Sequence, residues 1–381
     1  MAKQLVLLDA EKNHVAGNNG TAELVDGKLS VIKRTLLGGL RQGVDIVTVS
    51  NGDFSFTVIP TRGMGAHQAN YKDEFIGWDS PVNGPVHPAF VQISEPSGLG
   101  WLEGFDELLV RCGLESNGAP EHDPETGRLM YPVHGRIANK PAHKVTASID
   151  GDEVTITGIT DEVRFHFLKV RMTSEFKLKV GEDGFRLKDS IENLSASPAE
   201  IQMLYHMNFG APLLDAGSRV VAPIKTLVPR NDHAATGIDN WDSYVAPQPG
   251  YEEQVYFFEL LADASGKTKT LLKNAHGTRG AALSFNKNQL PVFTTWKNTT
   301  AVGDGYVTGI EPGTNFPNPR TYEGKRGRFT KIPGNGKTEF DFAFEYLVDD
   351  RVNAVEAEIK KLQGSTKPTI HKTPQDGWCA P

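Results

Sequence analysis

The sequence predicts an all-β fold, an antiparallel sandwich with few short helices. Three observations carry this expectation. Short alternating apolar runs are separated by turn residues along the 381-residue chain, which holds 39 glycines and 23 prolines. Hairpin signals such as Asn51-Gly52, Asp150-Gly151-Asp152 and Gly181-Glu-Asp-Gly184 fall between those runs. Helical periodicity is convincing only near residues 352–362, where Val352, Val355, Ile359 and Leu362 share one face. Hairpins outnumber strand–helix alternations, which argues against a doubly wound sheet.

In chain order, residues 1–43 alternate short apolar runs with turn signals at Asn18-Asn19-Gly20 and Asp26-Gly27. Residues 44–60 read as two strands about Asn51-Gly52, followed by the tight turn Thr61-Arg62-Gly63-Met64-Gly65. Residues 75–78 suit a strand, and 80–100, rich in Pro and Gly, a long loop. Residues 101–114 are apolar, and Phe105, Leu108 and Leu109 also fit a helix. A polar loop over 115–132 leads into Pro132-Val-His-Gly-Arg136. Strands are expected at 144–150, 153–159, 163–180, 185–194 and 199–209. Residues 215–250 read as mostly loop, with a short strand near 219–222. Strands at 252–261, 281–285, 291–296, 306–311 and 339–348 complete the second half. The chain has no internal repeat and no linker-like interior stretch. It reads as one domain over 1–381, with 1–30 as an N-terminal extension and 364–381 as an extended tail.

Composition bounds the function. Hydrophobic residues make up 38% and charged residues 23%, enough apolar mass for a large core. The formal net charge is −7 with no long basic run, which argues against nucleic acid or an anionic membrane as partner. No apolar run approaches the ~20 residues of a membrane span. The N-terminus reaches acidic residues too early for a signal peptide, so a cytoplasmic location is expected. Two cysteines, Cys112 and Cys379, exclude a disulfide framework and a multi-cysteine zinc site. The 11 histidines show no metal-ligand spacing, and no phosphate loop or nucleophile elbow is present. No metal and no cofactor are expected.

Candidate chemistry comes from separate segments. In Gly305–Arg320, Tyr306, Val307, Thr308 and Ile310 suit a strand, while Pro312, Gly313, Pro317 and Pro319 are read as ending it. Glu311 then closes the strand at a rigid turn, placed either as a base or as an ordinary solvated strand-end side chain. In 199–209, alternation puts Ile201, Met203, Tyr205 and Met207 on one face and Gln202, Leu204, His206 and Asn208 on the other. His206 and Asn208 together can line a cleft or serve packing. His134 lies in a flexible turn beside Arg136. Arg62 and Arg111 can each offer forked donors to a hydroxylated ligand, or form half of an ion pair.

Taken together, Pro60-Thr-Arg-Gly-Met64, Trp101–Gly113, Val133-His-Gly-Arg136, Leu204-Tyr-His-Met-Asn-Phe-Gly210 and Gly309-Ile-Glu-Pro-Gly313 resemble the aldose 1-epimerase (galactose mutarotase-like) family. The resemblance is to a branch of it classed as a domain of unknown function, and spans roughly residues 30–350. It implies a β-supersandwich and the interconversion of α and β anomers of an aldose or modified aldose. By similarity the catalytic pair falls on His206 as acid and Glu311 as base, and an earlier histidine on His134. Asn208 is placed near the sugar by position. The family's sugar-binding Arg has three candidates, Arg62, Arg111 and Arg136. Its sugar-binding Asp has no clear match, with Asp239 and Asp242 in the right region. Trp296 or Trp241 can stack on a sugar face or pack in the core.

The implied ligand is a small-molecule sugar bound by a monomer or homodimer, with no nucleic acid and no membrane. A second reading is a non-catalytic carbohydrate-binding or sensing protein on the same fold. A third, a polysaccharide hydrolase or lyase, needs a second acid beside Glu311, and the sequence shows none.

Overall fold

Two antiparallel sheets face each other across a continuous apolar core in the computed structural model, which describes residues 2–17 and 20–381. Asn18 and Asn19 of the expected turn lie outside the described residues. The smaller sheet has ten strands and the larger has fourteen, among the described residues. Hairpins build both. Asp45–Ser50 pairs with Phe54–Ile59 across Asn51-Gly52, and Lys144–Asp150 pairs with Glu153–Val163 across Gly151. Phe56, Phe176, Phe185 and Phe344 meet in the core, with the Phe56 and Phe185 ring centroids 4.9 Å apart. Full burial of each such ring contributes about 1.5–3 kcal/mol.

The strand Ala199–Phe209 positions the site. Ile201, Met203, Tyr205, Met207 and Phe209 enter the inter-sheet core, as the alternation predicts. Leu204 faces the other way, into a second cluster with Trp78, Trp101, Phe105, Val110 and Val133. Loops from residues 78–138 therefore cover the outer face of the larger sheet. His206 and Asn208 share that covered face.

Several sequence expectations change. Residues 109–114 form a strand after a short 3-10 turn at Gly100–Gly104, because Leu109–Leu114 is buried on both faces and its apolar run carries no periodicity. The strand ending expected at Pro312 does not occur: the strand runs Val307–Gly313. Its pairing with Val292–Asn298 continues through Phe293–Pro312, while its ladder to Ala199–Phe209 omits positions 311 and 312, where proline has no N–H to give. Residues 1–30 contribute strands to both sheets, Lys3–Asp9 pairing with Lys144–Asp150 and Ala22–Asp26 with Leu29–Thr35. Besides Gly65–Tyr71 and several shorter pieces, the unforeseen strands include Ile224–Pro229 and Lys267–Lys273. Lys267–Lys273 hides its pattern because two of its four buried residues, Thr268 and Thr270, are polar and stand beside lysines. The terminal helix is Asp350–Gln363. In the tail, Thr369–Ile370 pairs with Ile224–Pro229, and Trp378 stacks on Phe316 at 4.9 Å.

Candidate active site

His206 and Glu311 come from neighbouring antiparallel strands. Leu204 pairs with Gly313 and Met207 with Ile310, so His206 falls opposite Glu311. Thr294, on the next strand, pairs with Glu311. Three polar side chains thus form one row on the covered face of the larger sheet. His206 Nε2 lies 3.2 Å from Glu311 Oε1, with the two residues 4% and 2% exposed. The two atoms are within pairing distance but not aligned as a hydrogen bond, and Glu311 Oε1 is buried without a partner.

Burial sets the electrostatics of this pair. It raises the Glu311 carboxyl well above the usual carboxylate range, and nearby Glu253 adds to this while Arg230 opposes it. Burial lowers the His206 imidazole well below its ordinary value, helped by His134 and opposed by the Asn208 hydrogen bond. Free groups at 4.5 and 6.5 would place a shared proton on the imidazole. The opposed shifts move the preference of a shared proton from the imidazole toward the carboxylate, and a proton that either group can hold suits a pair that must pass one both ways.

His134 joins them through a strained turn. Its φ is +56°, in the left-handed region that non-glycine residues seldom adopt. Its backbone N–H donates to the Gly118 carbonyl, and its own carbonyl accepts from Gly113 N–H. Gly135 follows at φ +73°, where a Cβ would meet the Ser116 and Gly113 carbonyl oxygens at 2.1 and 2.3 Å. His134 Nδ1 lies 2.9 Å from the Asn117 carbonyl, which can only accept, so Nδ1 carries the proton and Nε2 is left free. Its ring packs edge-on to His206 at 5.6 Å and to Trp101 at 4.7 Å. Burial lowers its pKa.

These groups line a cavity of about 240 Å³ with Trp101, Phe105, Arg230, Glu253, Thr294 and Trp296. Apolar side chains of Leu99, Leu102, Val133 and Val255 complete much of its wall. Three lining residues carry buried polar atoms with no partner in the protein: Trp101 Nε1, Thr294 Oγ1 and Glu311 Oε1. Other such atoms are scattered through the protein, but these three face one space. A larger hollow of about 980 Å³ lies on the ten-stranded sheet beside the terminal helix, lined by charged side chains that include Lys177, Arg186 and Glu358. It holds no comparable constellation.

The structure thus brings together His134, His206, Glu311 and Trp296, and sends the other expected site residues elsewhere. Asn208 is buried beneath His206 and does not line the cavity. Arg62 is buried and bonded to Glu107, Asn139 and the Gly104 and Val86 carbonyls, so its fork is spent inside the protein. Arg136 is half-buried away from the cavity. Asp242 pairs with Arg219 at 2.8 Å beside a separate hollow. Arg111 spans the sandwich to Asp189 with two bonds of 2.9 Å, and Ser174 and Tyr205 complete that buried group. Trp241 packs on Phe258.

Sequence reading missed Arg230, Glu253, Thr294 and Phe105 as lining residues. Arg230 follows the unforeseen strand Ile224–Pro229, and Glu253 immediately precedes Gln254–Leu260. Glu253 accepts from Trp296 Nε1–H at 2.6 Å and lies 3.6 Å from Arg230. The second acid that the sequence did not reveal is therefore present in the cavity. A signal was available for both: each is a charged residue at the end of an apolar strand, as Glu311 was thought to be. Among the described residues no group of His, Cys, Asp and Glu could hold a metal ion, and no helix is long and apolar enough to cross a membrane.

The two facing antiparallel sheets form a galactose mutarotase-like fold, shared with proteins of solved structure. The chain belongs to a domain family of unknown function, DUF4432, whose model matches residues 41–346. It is similar to a Klebsiella pneumoniae protein of solved structure named a "putative aldose 1-epimerase", with 36% identity and a TM-score of 0.93 over 98% of this chain and 99% of that one. A galactose mutarotase-like protein from Clostridium acetobutylicum shares the fold at 16% identity and TM-score 0.60, covering 84% of this chain and 99% of its own. An Escherichia coli K12 protein, also named a "putative aldose 1-epimerase", shares it at 11% identity and TM-score 0.53, over 80% and 100% of the two chains. No curated protein matches the chain.

Proposed function

We propose that the protein is a mutarotase that interconverts the α and β anomers of an aldose or modified aldose. The observation that carries the reading is the 3.2 Å approach of His206 Nε2 to Glu311 Oε1 at the buried wall of a cavity that opens to solvent. Ring opening requires the anomeric hydroxyl to lose a proton and the ring oxygen to gain one. A pair holding one mobile proton supplies both. With that proton on Nε2, the Glu311 carboxylate takes the anomeric proton while Nε2–H protonates the ring oxygen. The C1–O5 bond breaks and C1 becomes an aldehyde. The carboxyl is then protonated and the imidazole neutral. Rotation about C1–C2 and reclosure on the other face return both protons, so nothing needs resetting. Each positioned transfer contributes roughly 10²–10⁴-fold.

The cavity fits a single ring. Its volume of about 240 Å³ suits one sugar ring against the His206–Glu311 wall. Glu253 supplies a second carboxylate in the cavity. Trp101 Nε1, Thr294 Oγ1, the free Nε2 of His134 and the Arg230–Glu253 pair offer partners to ring hydroxyls. Trp296 and Phe105 offer faces to its C–H surfaces.

The test is substitution of the pair. Glu311→Gln keeps the shape and one acceptor oxygen, so sugar binding persists while exchange falls by roughly 10²–10⁴-fold. His206→Asn falls comparably, and the double variant is little worse than either, because the two act as one unit. Wild-type binding without accelerated exchange on a broad aldose panel would instead identify a sensor. Undiminished exchange in Glu311→Gln would mean another group is the base.

A further inference from the structure

We infer that Asn208 is a positioning residue that fixes His206 in the tautomer protonated at Nδ1, anchored through Glu107 and Arg62. The assignment follows from donors and acceptors. Asn208 Nδ2 lies 2.9 Å from the Glu107 carbonyl oxygen, which can only accept, so the amide nitrogen must face it. Asn208 Oδ1 is thereby turned to His206 Nδ1, at 2.7 Å. An amide oxygen can only accept, so Nδ1 carries a proton in every state of the ring. The lone pair of the neutral ring then sits on Nε2, the nitrogen facing Glu311.

The Glu107 carbonyl is itself held in place. It also accepts from Trp78 Nε1–H at 3.1 Å. The Glu107 carboxylate takes Arg62 Nε–H at 2.7 Å, and the remaining Arg62 donors reach Asn139 and the Gly104 carbonyl, each at 2.8 Å. Arg62, Glu107 and Asn208 are all fully buried. The chain of contacts runs from Arg62 through the Glu107 segment to Asn208 and then to the imidazole. With the opposite tautomer, the neutral ring would offer the cavity a donor where the cycle needs an acceptor. The other titratable groups near His206 are Glu311 and His134, with Arg230 and Glu253 lining the same cavity.

The rate consequence rests on the acid–base reading given above; the tautomer does not, so the two can fail separately. Nitrogen-15 NMR of the histidine rings in the wild-type protein near neutral pH reads the tautomer directly. The expected signature for His206 is protonated Nδ1 and unprotonated Nε2. A neutral His206 protonated at Nε2 would overturn the inference whatever the protein catalyses. Asn208→Leu removes the acceptor and is expected to shift the ring toward Nε2–H. It should lower the exchange kcat roughly 10²-fold with KM within about threefold. Asn208→Asp restores an acceptor at Nδ1 and adds charge, so it should recover the Nδ1–H signature and move the pH–rate profile upward. If both variants lose activity only in proportion to folded protein, with unchanged profile and tautomer, Asn208 is a packing residue and the inference is wrong. Should Asn208→Leu fail to fold, the wild-type spectrum still decides the question.

Discussion

Gly309 lies on the Glu311 strand opposite Trp296 and Asn208, and its missing side chain makes room for the pair. A Cβ there would stand 2.3 Å from Glu311 Oε1 and 2.8 Å from His206 Cε1. Ordinary contact begins near 3.4 Å, so in Gly309→Ala the carboxylate must retreat by about 1 Å, a displacement that costs on the order of 10²-fold in a positioned reaction. The backbone does not resist the change, because Gly309 has no positive φ. Alanine also reduces the freedom of the unfolded chain, worth about 0.4–1 kcal/mol in favour of folding. That gain offsets some of the clash, so the variant should fold. The expected result is a normal melting profile with anomer exchange down about 100-fold, measured by NMR saturation transfer between anomers. Full exchange in a folded Gly309→Ala protein would show that the 3.2 Å arrangement of His206 and Glu311 is not the reacting geometry.

Other outcomes follow from the same structure. Glu311 in the folded protein holds its proton to higher pH than in the unfolded chain, so stability falls as pH rises from about 4.5 through the raised value. Glu311→Gln should therefore raise the melting temperature at pH 7 and give no gain below pH 4; equal gain at both would refute the buried-acid assignment. Arg230→Met should raise KM several-fold with kcat little changed, read from exchange rates against sugar concentration, because the guanidinium lines the cavity without touching the pair. Arg62→Met should cost about 3–5 kcal/mol in denaturant unfolding, since it strands the Glu107 carboxylate in the interior. The wild-type pH–rate profile should be a plateau across neutrality, limited by a second proton on the pair at low pH and by loss of the shared proton at high pH. Both limbs belong to the pair and not to either residue.

Much of the fold was legible because sheet alternation writes itself into sequence. The Ile201, Met203, Tyr205, Met207 face of one strand was readable, and it turned His206 to the covered side. Asn51-Gly52 announced its hairpin. What failed had physical causes. Lys267–Lys273 buries threonines, so hydropathy was silent. Pro312 was read as a terminator, yet a proline can sit in a central strand where one neighbouring ladder is interrupted. The arginines could not be assigned from sequence because a forked donor looks alike there whether it meets a ligand or a buried carboxylate. Arg62 and Arg111 both met carboxylates. Arg230 and Glu253 escaped notice because the loops that fold around the cavity bring together residues that share no local motif.

The central claim is that His206 and Glu311 open and close a sugar ring. Saturation transfer between the α and β resonances of a broad panel of aldoses, with purified protein as the only variable, tests it most directly. At least one sugar should show exchange proportional to protein concentration, and with Glu311→Gln the same sugar should lose roughly 10²–10⁴-fold of that acceleration. A sugar that binds the wild-type protein while its anomers exchange no faster than in buffer, across the whole panel, would contradict it.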